Sequence, residues 1–307
     1  VKTAKCLNPL PVSYGAMTDP WTDWQLYKDW RPDLASFQET LDGGQAFCWD
    51  ALDEFNYEGV VSNIPFRVRW DSTKSVYWTS YRLFFDEADA LFGKYIGTEE
   101  TYQMLYDTLP WRSDAHLKAC MEAFPDLRIL NQPHGETLLG FLCSATKQIV
   151  QIKEMLRLIR DRFGAPIVDC YRSLPDWETL NSITESDLRD CKFGFRAKNI
   201  SKTAALLHPT PDLIDMIVEQ DYATAKTTLC SFPGVGEKVA DCVLLFGYQK
   251  LEAFPVDTWI IKAMQRRYDL EGWHPKQVAH FGRSHFGKYA GLAQQFIFAS
   301  ERKQPRK

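Results

Sequence analysis

The chain has 307 residues, of which 45% are hydrophobic and 14% aromatic, and its formal net charge is −4. This composition excludes an intrinsically disordered chain and is sufficient for a large buried core, with a length typical of two domains. No uninterrupted apolar run is long enough to span a membrane, and the first residues lack the pattern of a secretory signal. We therefore expect a soluble protein that works inside the cell.

Charge and cysteines are distributed unevenly along the chain. Residues 1–120 carry 11 basic and 18 acidic side chains, whereas residues 258–307 carry 10 basic and 3 acidic ones. Only the C-terminal part can therefore present a basic face to a polyanion. The eight cysteines form no CxxC pair, which disfavours a zinc site and favours scattered reduced thiols.

The first third of the chain has the pattern of β-strands. Aromatic and β-branched residues alternate with polar ones in the runs GQAFCWD, YEGVVSNIPFRVRWD and SVYWTSYRLFF, with Gly, Asn, Asp and Ser between them. This alternation is typical of an antiparallel sheet with one covered face. We predict an α+β protein whose N-terminal antiparallel sheet domain spans residues 1–133.

Helical periodicity replaces this alternation in the second half. Apolar residues recur at spacings of three and four from Leu138 to Phe163, and Gly164 then ends the helix as a C-cap. Shorter helices are predicted around residues 179–188, 197–207, 212–219, 223–230, 237–245 and 258–268. Residues 134–307 are therefore predicted to form a mainly helical region.

The stretch FPGVGEKVADC joins two of these helices through a tight turn. Gly234 and Gly236 allow positive φ and let a polymer approach the backbone closely. The N–H groups around Val235 and at the start of the second helix have no intrahelical partner, so they form an anion site suited to a phosphodiester. For a bare G-x-G, an ordinary corner of a helical domain is the simpler explanation.

Two titratable residues follow this turn at informative positions. Lys238 lies in the first turn of the second helix, where the helix dipole and the apolar neighbour Val239 disfavour its charged form. A neutral lysine amine is a nucleophile. Asp257 comes 19 residues later, in the segment PVD before another helix, where its simplest role is an N-cap. Spacing alone makes neither residue catalytic.

Taken together, these segments resemble the helix-hairpin-helix DNA glycosylases, and most closely their 8-oxoguanine DNA glycosylase branch. PGVGEKVADC and PVD resemble the hairpin and the aspartate segment of that family. GGQAFCW, at residues 43–49, resembles the lesion-recognition loop, and FLCSATKQI resembles the strand-separating loop. GFRAKNI resembles a second intercalating loop, and YAGLAQQFIF resembles the C-terminal pocket helix. The resemblance covers residues 41–299.

The resemblance implies a fold and a reaction. The sheet would resemble half of a TATA-binding protein, and the active-site cleft would lie between two helical subdomains, with the helix-hairpin-helix motif at residues 223–247. Members with a lysine at the position of Lys238 are bifunctional DNA N-glycosylases and AP lyases. They flip the damaged base out of the duplex, and the amine attacks its sugar. Asp257 would stabilise the positive charge that develops there.

The resemblance also implies how 8-oxoguanine is recognised. The main-chain carbonyl of Gly44 would accept from the N7–H that normal guanine lacks. Gln294 would read the Watson–Crick edge, and Phe298 and Cys242 would sandwich the ring. Without the resemblance, Phe298 and Cys242 are ordinary core residues and Gly44 is a turn glycine.

Contacts with the rest of the DNA are implied in the same way. Phe195 would wedge between bases and Arg196 would donate to the opposite cytosine, although a buried helix-terminal Phe explains the same letters. The hairpin residues Gly234, Val235 and Gly236 would hold the DNA backbone.

Several positions depart from the pattern of the branch. Thr146, Lys147 and Gln148 replace an asparagine run in the strand-separating loop, where Thr146 and Gln148 would contact the opposite base. Gln151 replaces a second arginine that reads cytosine, so we expect a weaker dependence on the opposite base. Trp259 replaces a histidine near a backbone phosphate.

The implied partner is double-stranded DNA that contains oxidised guanine, bound by a monomer in a bacterial cytoplasm or a eukaryotic nucleus. No cofactor is required and no metal site is expected, except for a monovalent or divalent cation bridging the hairpin to a DNA phosphate. Two alternatives stay open. One is a glycosylase of the same fold for another oxidised or alkylated base. The other is a noncatalytic DNA-binding module, against which the presence of both Lys238 and Asp257 argues.

Overall fold

The computed structural model describes residues 19–303. Its N-terminal part is an antiparallel five-stranded sheet, in the order β1-β5-β4-β3-β2. The strands are β1 (Gln25–Tyr27), β2 (Trp49–Ala51), β3 (Asn56–Val61), β4 (Ile64–Trp70) and β5 (Val76–Ser80). Ser62 and Asn63 both adopt positive φ, which is the geometry that a two-residue β3–β4 turn needs. The predicted antiparallel sheet is therefore confirmed.

One face of the sheet is covered by two helices, α1 (Leu34–Asp42) and α2 (Phe85–Ile96). Large aromatic residues fill the space between them and the strands, and each of these is almost fully buried: Trp30, Phe37, Trp49, Phe66, Trp78 and Phe92. This apolar layer explains the alternation in the sequence, because residues facing the core recur at every second position. Helix α1 ends at Gly43, immediately before the predicted recognition loop.

The rest of the chain is helical, apart from one small hairpin of β6 (Pro166–Val168) and β7 (Tyr171–Arg172). The first helices of this region are α3 (Glu99–Thr108), α4 (Ala115–Ala123), α5 (His134–Cys143), α6 (Ile149–Phe163), α7 (Trp177–Ser182), α8 (Glu185–Asp190) and α9 (Arg196–Leu207). The later helices are α10 (Leu213–Met216), α11 (Tyr222–Cys230), α12 (Glu237–Gly247), α13 (Thr258–Tyr268), α14 (Pro275–Phe286) and α15 (Ala290–Lys303). The mainly helical C-terminal region is therefore also confirmed.

Two of the predicted helices are interrupted, so their predicted extents are wrong. The run from Leu138 to Phe163 is two helices, α5 and α6, separated by residues 144–148. Thr146 has a φ of 57° and Gln148 caps α6, so the backbone leaves helical geometry between them. Residues 179–188 are likewise divided, because the Thr184 side chain caps α8. Apolar periodicity did not reveal either break, since the helices on both sides bury apolar residues.

The helical region has one continuous core, which includes side chains of α3 and α4 from Tyr102 onwards. A domain boundary at residue 133 stays a prediction. Helix α12 is buried from Val239 to its end and packs against α5 and α11, while α15 packs against α13 and α4. This packing brings one face of α12 and one face of α15 to a common cleft.

The described residues bear on three further expectations. None of the helices within residues 19–303 is long and apolar enough to span a bilayer. In the same range, no group of three or more His, Cys, Asp or Glu side chains is placed to hold a metal ion. None of the seven cysteines within residues 19–303 forms a disulfide, and Cys6 lies outside the described residues.

Candidate active site

The turn between α11 and α12 is a hairpin that exposes its backbone. Gly234 has a φ of 84°, and a Cβ added there would lie 2.7 Å from the side-chain nitrogen of Asn199. Only glycine meets both constraints. Gly236 is the N-cap of α12 and has no side chain to bond the first turn, and the space beside it is open. The side chain of Val235 is buried, so only its backbone can face a ligand.

Lys238 lies in the first turn of α12 and is half-buried. Its Nζ is 5.4 Å from the ring centre of Phe141, which belongs to α5. Phe141 in turn stacks on Phe246, with the ring centres 5.4 Å apart and an interplanar angle of 15°. These two rings give the amine an apolar wall, which shields it from water on one side.

Asp257 approaches the same space from the start of α13. Its Oδ1 accepts hydrogen bonds from the backbone N–H groups of Trp259 and Ile260, each at 2.9 Å. The predicted N-cap is therefore present. Burial raises the pKa of the carboxyl group above its usual value, while these N–H groups and the charge of Lys238 act in the opposite direction. Because both hydrogen bonds of the cap go to Oδ1, the carboxylate is held in place while Oδ2 takes no part in the cap.

One pocket is lined by all six residues that were predicted for catalysis and base binding. Its space amounts to about 350 Å³ when the open mouth is included. The six residues are Lys238, Asp257, Gly44, Cys242, Gln294 and Phe298. Four further lining residues were missed from the sequence, namely Phe141, Phe246, Pro255 and Gln295. Helical spacing was the available signal for Phe246, since it lies one turn after Cys242.

Cys242 and Phe298 supply apolar surface to this pocket. Cys242 lies one turn after Lys238 on the same face of α12, and burial raises the pKa of its thiol to about 11. The thiol is therefore neutral at pH 7 and presents a polarizable surface to a ligand. Phe298 is half-buried on α15, one turn after Gln294. Both surfaces are suited to contact the faces of a flat ring.

The recognition loop is held in place by its own buried amide. Gly44 has a φ of 104°, and a Cβ there would lie 2.8 Å from Cδ1 of Ile149. The next residue, Gln45, donates to the carbonyl of Arg128 at 2.8 Å and accepts from the N–H of Leu130 at 2.8 Å. Gln132 donates to the Gln45 carbonyl at 2.7 Å. These bonds fix the backbone of Gly44 at the edge of the pocket.

An ion pair joins the two walls that meet at this loop. Nη2 of Arg302, on α15, lies 2.7 Å from Oε2 of Glu39, a buried residue of α1. The guanidinium carbon of Arg302 is also 5.8 Å from the ring centre of Phe298. The helix that carries Phe298 is thereby attached to the helix that leads into the loop.

The predicted wedge residues have different environments. Phe195 is 58% exposed, so its side chain is available to a partner. Arg196 is only 3% exposed, and its guanidinium bonds the carbonyl of Ala145 and the hydroxyl of Thr146, the latter at 3.1 Å. Burial lowers its pKa. In this structure Arg196 holds the strand-separating loop, and a contact with cytosine requires its release.

The remaining DNA-contact residues lie around α6 and α13. Gln148 is exposed at the N-cap of α6, where its backbone N–H donates to the side chain of Gln151 at 3.1 Å. Gln151 thus completes a capping box. Trp259 is half-buried in the first turn of α13. The structure positions these residues, and their roles toward DNA stay predictions.

Two family models match the chain in succession. A model for the N-terminal domain of 8-oxoguanine DNA glycosylase matches residues 31–138, and a model for HhH-GPD superfamily base excision DNA repair proteins matches residues 139–286. The first covers strands β2 to β5 of the sheet and the recognition loop, and the second covers the hairpin, Lys238 and Asp257. Fold and site together define a DNA glycosylase of the helix-hairpin-helix class.

Similar proteins of known class indicate which branch of these glycosylases the chain belongs to. An N-glycosylase/DNA lyase of Arabidopsis thaliana is 28% identical over 279 residues, which are 85% of this chain and 76% of the relative. A probable N-glycosylase/DNA lyase of Methanothermobacter thermautotrophicus is 38% identical over 220 residues, which are 64% of this chain and 70% of the relative. The chain therefore belongs to the 8-oxoguanine DNA glycosylase branch of the HhH-GPD superfamily, and it is an enzyme, a DNA N-glycosylase and lyase.

A solved structure agrees with this assignment. The 8-oxoguanine glycosylase/lyase of Clostridium acetobutylicum, in complex with double-stranded DNA containing cytosine opposite 8-oxoguanine, superposes with a TM-score of 0.82. The two chains are 28% identical, and the match covers 93% of this chain and 99% of the other. The fold is therefore shared over nearly the whole of both proteins.

Proposed function

We propose that this protein excises 8-oxoguanine from double-stranded DNA and then cleaves the strand at the resulting site. The observation that carries the proposal is the shared pocket of Lys238 and Asp257, which adjoins the recognition loop. A lysine that lines a pocket together with a carboxylate and aromatic rings is suited to nucleophilic attack on a sugar.

In the proposed reaction, the damaged nucleotide is first extruded from the duplex. The neutral amine of Lys238 attacks C1′, forming a C–N bond while the glycosidic bond breaks and the base leaves with the electron pair and a proton. Opening of the sugar ring produces a Schiff base. Loss of a proton from C2′ then expels the 3′ phosphate by β-elimination. The carboxylate of Asp257 stabilises the positive charge on the sugar in the first step.

Recognition of the base would use the other pocket residues. The carbonyl of Gly44 accepts from N7–H of 8-oxoguanine, whereas the N7 lone pair of guanine leaves that carbonyl unpaired. Gln294 reads the Watson–Crick edge. Phe298 and the neutral thiol of Cys242 contact the two faces of the ring.

The rest of the DNA would be held by the surface around the pocket. The backbone of the hairpin, at Gly234 and Gly236, contacts phosphates, with a cation as an additional bridge, and Trp259 lies beside the same strand. Phe195 fills the space of the extruded base, with Thr146 and Gln148 near the orphaned partner. A single chain contains every residue that this scheme needs, so a monomer suffices. The protein acts where DNA is, in a bacterial nucleoid or a eukaryotic nucleus.

Borohydride trapping tests the proposal. A duplex with one 8-oxoguanine is incubated with wild type, with Lys238→Gln and with the control Lys94→Gln, which makes the same charge change at an exposed residue of α2. We expect a covalent adduct with wild type and the control, and none with Lys238→Gln. Duplex binding without any wild-type adduct would support the noncatalytic module instead. Adducts only with other damaged bases would support a different substrate.

A further inference from the structure

Two adjacent glutamines lie side by side in the base pocket, and only the first was predicted to have a role. Gln294 is 3% exposed and Gln295 is 8% exposed, and both line the pocket. Nε2 of Gln294 is 3.0 Å from the carbonyl oxygen of Pro255. Nε2 of Gln295 is 2.7 Å from Oε1 of Gln294. The three groups therefore form one hydrogen-bonded chain.

The donor and acceptor roles in this series of hydrogen bonds follow from the carbonyl group of Pro255 at one end. A carbonyl oxygen can only accept, so the Gln294 atom that faces Pro255 must be the amide nitrogen. The other amide atom is then the oxygen, and the atom of Gln295 beside it must be a donor. Turning the Gln294 amide by 180° would place oxygen against oxygen at Pro255 and nitrogen against nitrogen at Gln295. Both bonds would be lost in a buried site, where such losses are costly.

The fixed orientation of the Gln294 amide matters because the recognition loop alone cannot distinguish 8-oxoguanine from 8-oxoadenine. The carbonyl of Gly44 detects N7–H, and 8-oxoadenine carries this group as well as 8-oxoguanine does. The two bases differ at the next edge, where 8-oxoguanine has an acceptor at C6 and a donor at N1, and 8-oxoadenine has the reverse. A freely turning amide satisfies either order, because it offers one donor and one acceptor. A fixed amide satisfies only one.

We propose that Gln295 is a positioning residue that determines specificity, because it holds the Gln294 amide so that the pocket accepts purines with an oxygen at C6. Purines with an amino group at C6 meet a donor against their donor and are rejected. This inference rests on the proposed function, which places an oxidised purine in the pocket. Each Gln294 amide atom keeps one bonding position for that purine after its bonds to Pro255 and Gln295 are made.

Single-turnover base release tests the inference. Duplexes carry 8-oxoguanine or 8-oxoadenine opposite the same base, and the variant is Gln295→Met, which keeps the length of the side chain and removes its donor. The matched control is Gln249→Met, which removes a glutamine that donates to the carbonyl of Leu130 outside the pocket. We expect the ratio of the 8-oxoguanine rate to the 8-oxoadenine rate to fall about tenfold in Gln295→Met and to stay unchanged in the control. An unchanged ratio in Gln295→Met, even with both rates reduced, overturns the inference.

A second measurement is independent of catalysis. Hydrogen exchange of the Gln294 side-chain amide is followed by NMR in the protein without DNA. We expect about tenfold faster exchange in Gln295→Met than in wild type or Gln249→Met, because the released amide turns. Equal exchange in all three proteins overturns the inference whatever the activity. Faster exchange in the variant, together with a wild type that releases no 8-oxoguanine, overturns the proposed function and supports the fixed amide.

Discussion

The base pocket and the strand-separating loop meet where Gly44 lies beside Ile149, but their side chains are held in different ways. In the pocket, Cys242 and Phe298 each lie one helical turn from another lining residue, so the helix itself fixes their direction. At the strand-separating loop, a side chain of the second intercalating loop bonds to the protein. Arg196 holds Ala145 and Thr146.

This difference separates two kinds of functional residue. A side chain on a buried helix is held by the packing of that helix, so we expect its position in the pocket to change little when DNA binds. A side chain such as Arg196 has a protein partner and a candidate DNA partner, and its role depends on which contact is the more stable. Variants in the two regions should therefore behave differently.

The largest effect is expected in the pocket at Asp257. Asp257→Asn removes the negative charge and keeps an oxygen that can cap α13. We expect single-turnover base release to slow by about 10²- to 10³-fold, because stabilisation of charge on the sugar is lost. Affinity for 8-oxoguanine duplex should change little, since the backbone contacts of the hairpin are untouched. An unchanged release rate would remove Asp257 from the mechanism.

The pH dependence of the same variant sharpens this test. The pKa of Asp257 is raised by burial, so the carboxylate is protonated at a pH above the usual range of an aspartate. As the pH falls through that raised pKa, the charge that stabilises the sugar is lost and the wild-type rate should fall. Asp257→Asn lacks this group, so its slower rate should show no such acid limb. An identical acid limb in both proteins would assign it to another group.

At the border of the two regions, Gly44→Ala should slow base release by about 10²-fold. The added Cβ meets Ile149 at 2.8 Å and the residue has a φ of 104°, so the loop must shift, and small displacements of this kind are costly in catalysis. The control is Gly272→Ala, at a φ of 77° with open space around the Cβ. It should lose stability through backbone strain and retain its rate. Equal rate losses in both variants would mean that global strain, and not loop position, is responsible.

A smaller effect is expected at Phe195, the exposed side chain of the wedge. Phe195→Ala should reduce release of 8-oxoguanine about tenfold at limiting enzyme, because stacking that replaces the extruded base is lost. Its melting temperature should not change, since the ring is 58% exposed. Leu83→Ala, at an exposed residue of the sheet domain, should alter neither quantity. If Phe195→Ala weakens binding to undamaged duplex to the same extent, the residue is a general DNA contact.

Some features of this molecule could be predicted from its sequence, and others could not. The strands and the hairpin could be predicted because alternation and the two glycines are local properties of the chain. The pocket residues were predicted only through the family resemblance, because their spacing alone indicates no catalytic or binding role. The break between α5 and α6 could not, since it depends on a positive φ at Thr146 that apolar periodicity does not report. Gln295 was missed for a related reason. Its role depends on contacts with Gln294 and with Pro255, which is distant in the chain.

The contacts of Arg196 could not be predicted from the sequence either. The letters GFR are compatible with an arginine that faces DNA and with one that faces the protein. The outcome depends on a carbonyl at Ala145, about 50 residues earlier, which the fold brings to the guanidinium. A local motif cannot report such a partner, and this explains why the wedge was harder to predict than the pocket.

The smallest effect concerns the base opposite the lesion. Gln151 caps α6 and Arg196 is bonded to the loop, so neither is free to read cytosine. We expect wild type to release 8-oxoguanine opposite cytosine and opposite adenine at rates within about tenfold of each other, because one weak contact is worth about 1 kcal/mol.

Arg196→Met should lower both rates through a less ordered loop and leave their ratio unchanged. The control Arg189→Met breaks only a surface pair with Glu185 and should change neither rate. If the ratio instead falls to one in Arg196→Met alone, the guanidinium leaves Ala145 when DNA binds. The wedge would then be a region that rearranges on binding, whereas the pocket side chains are held by the helices that carry them.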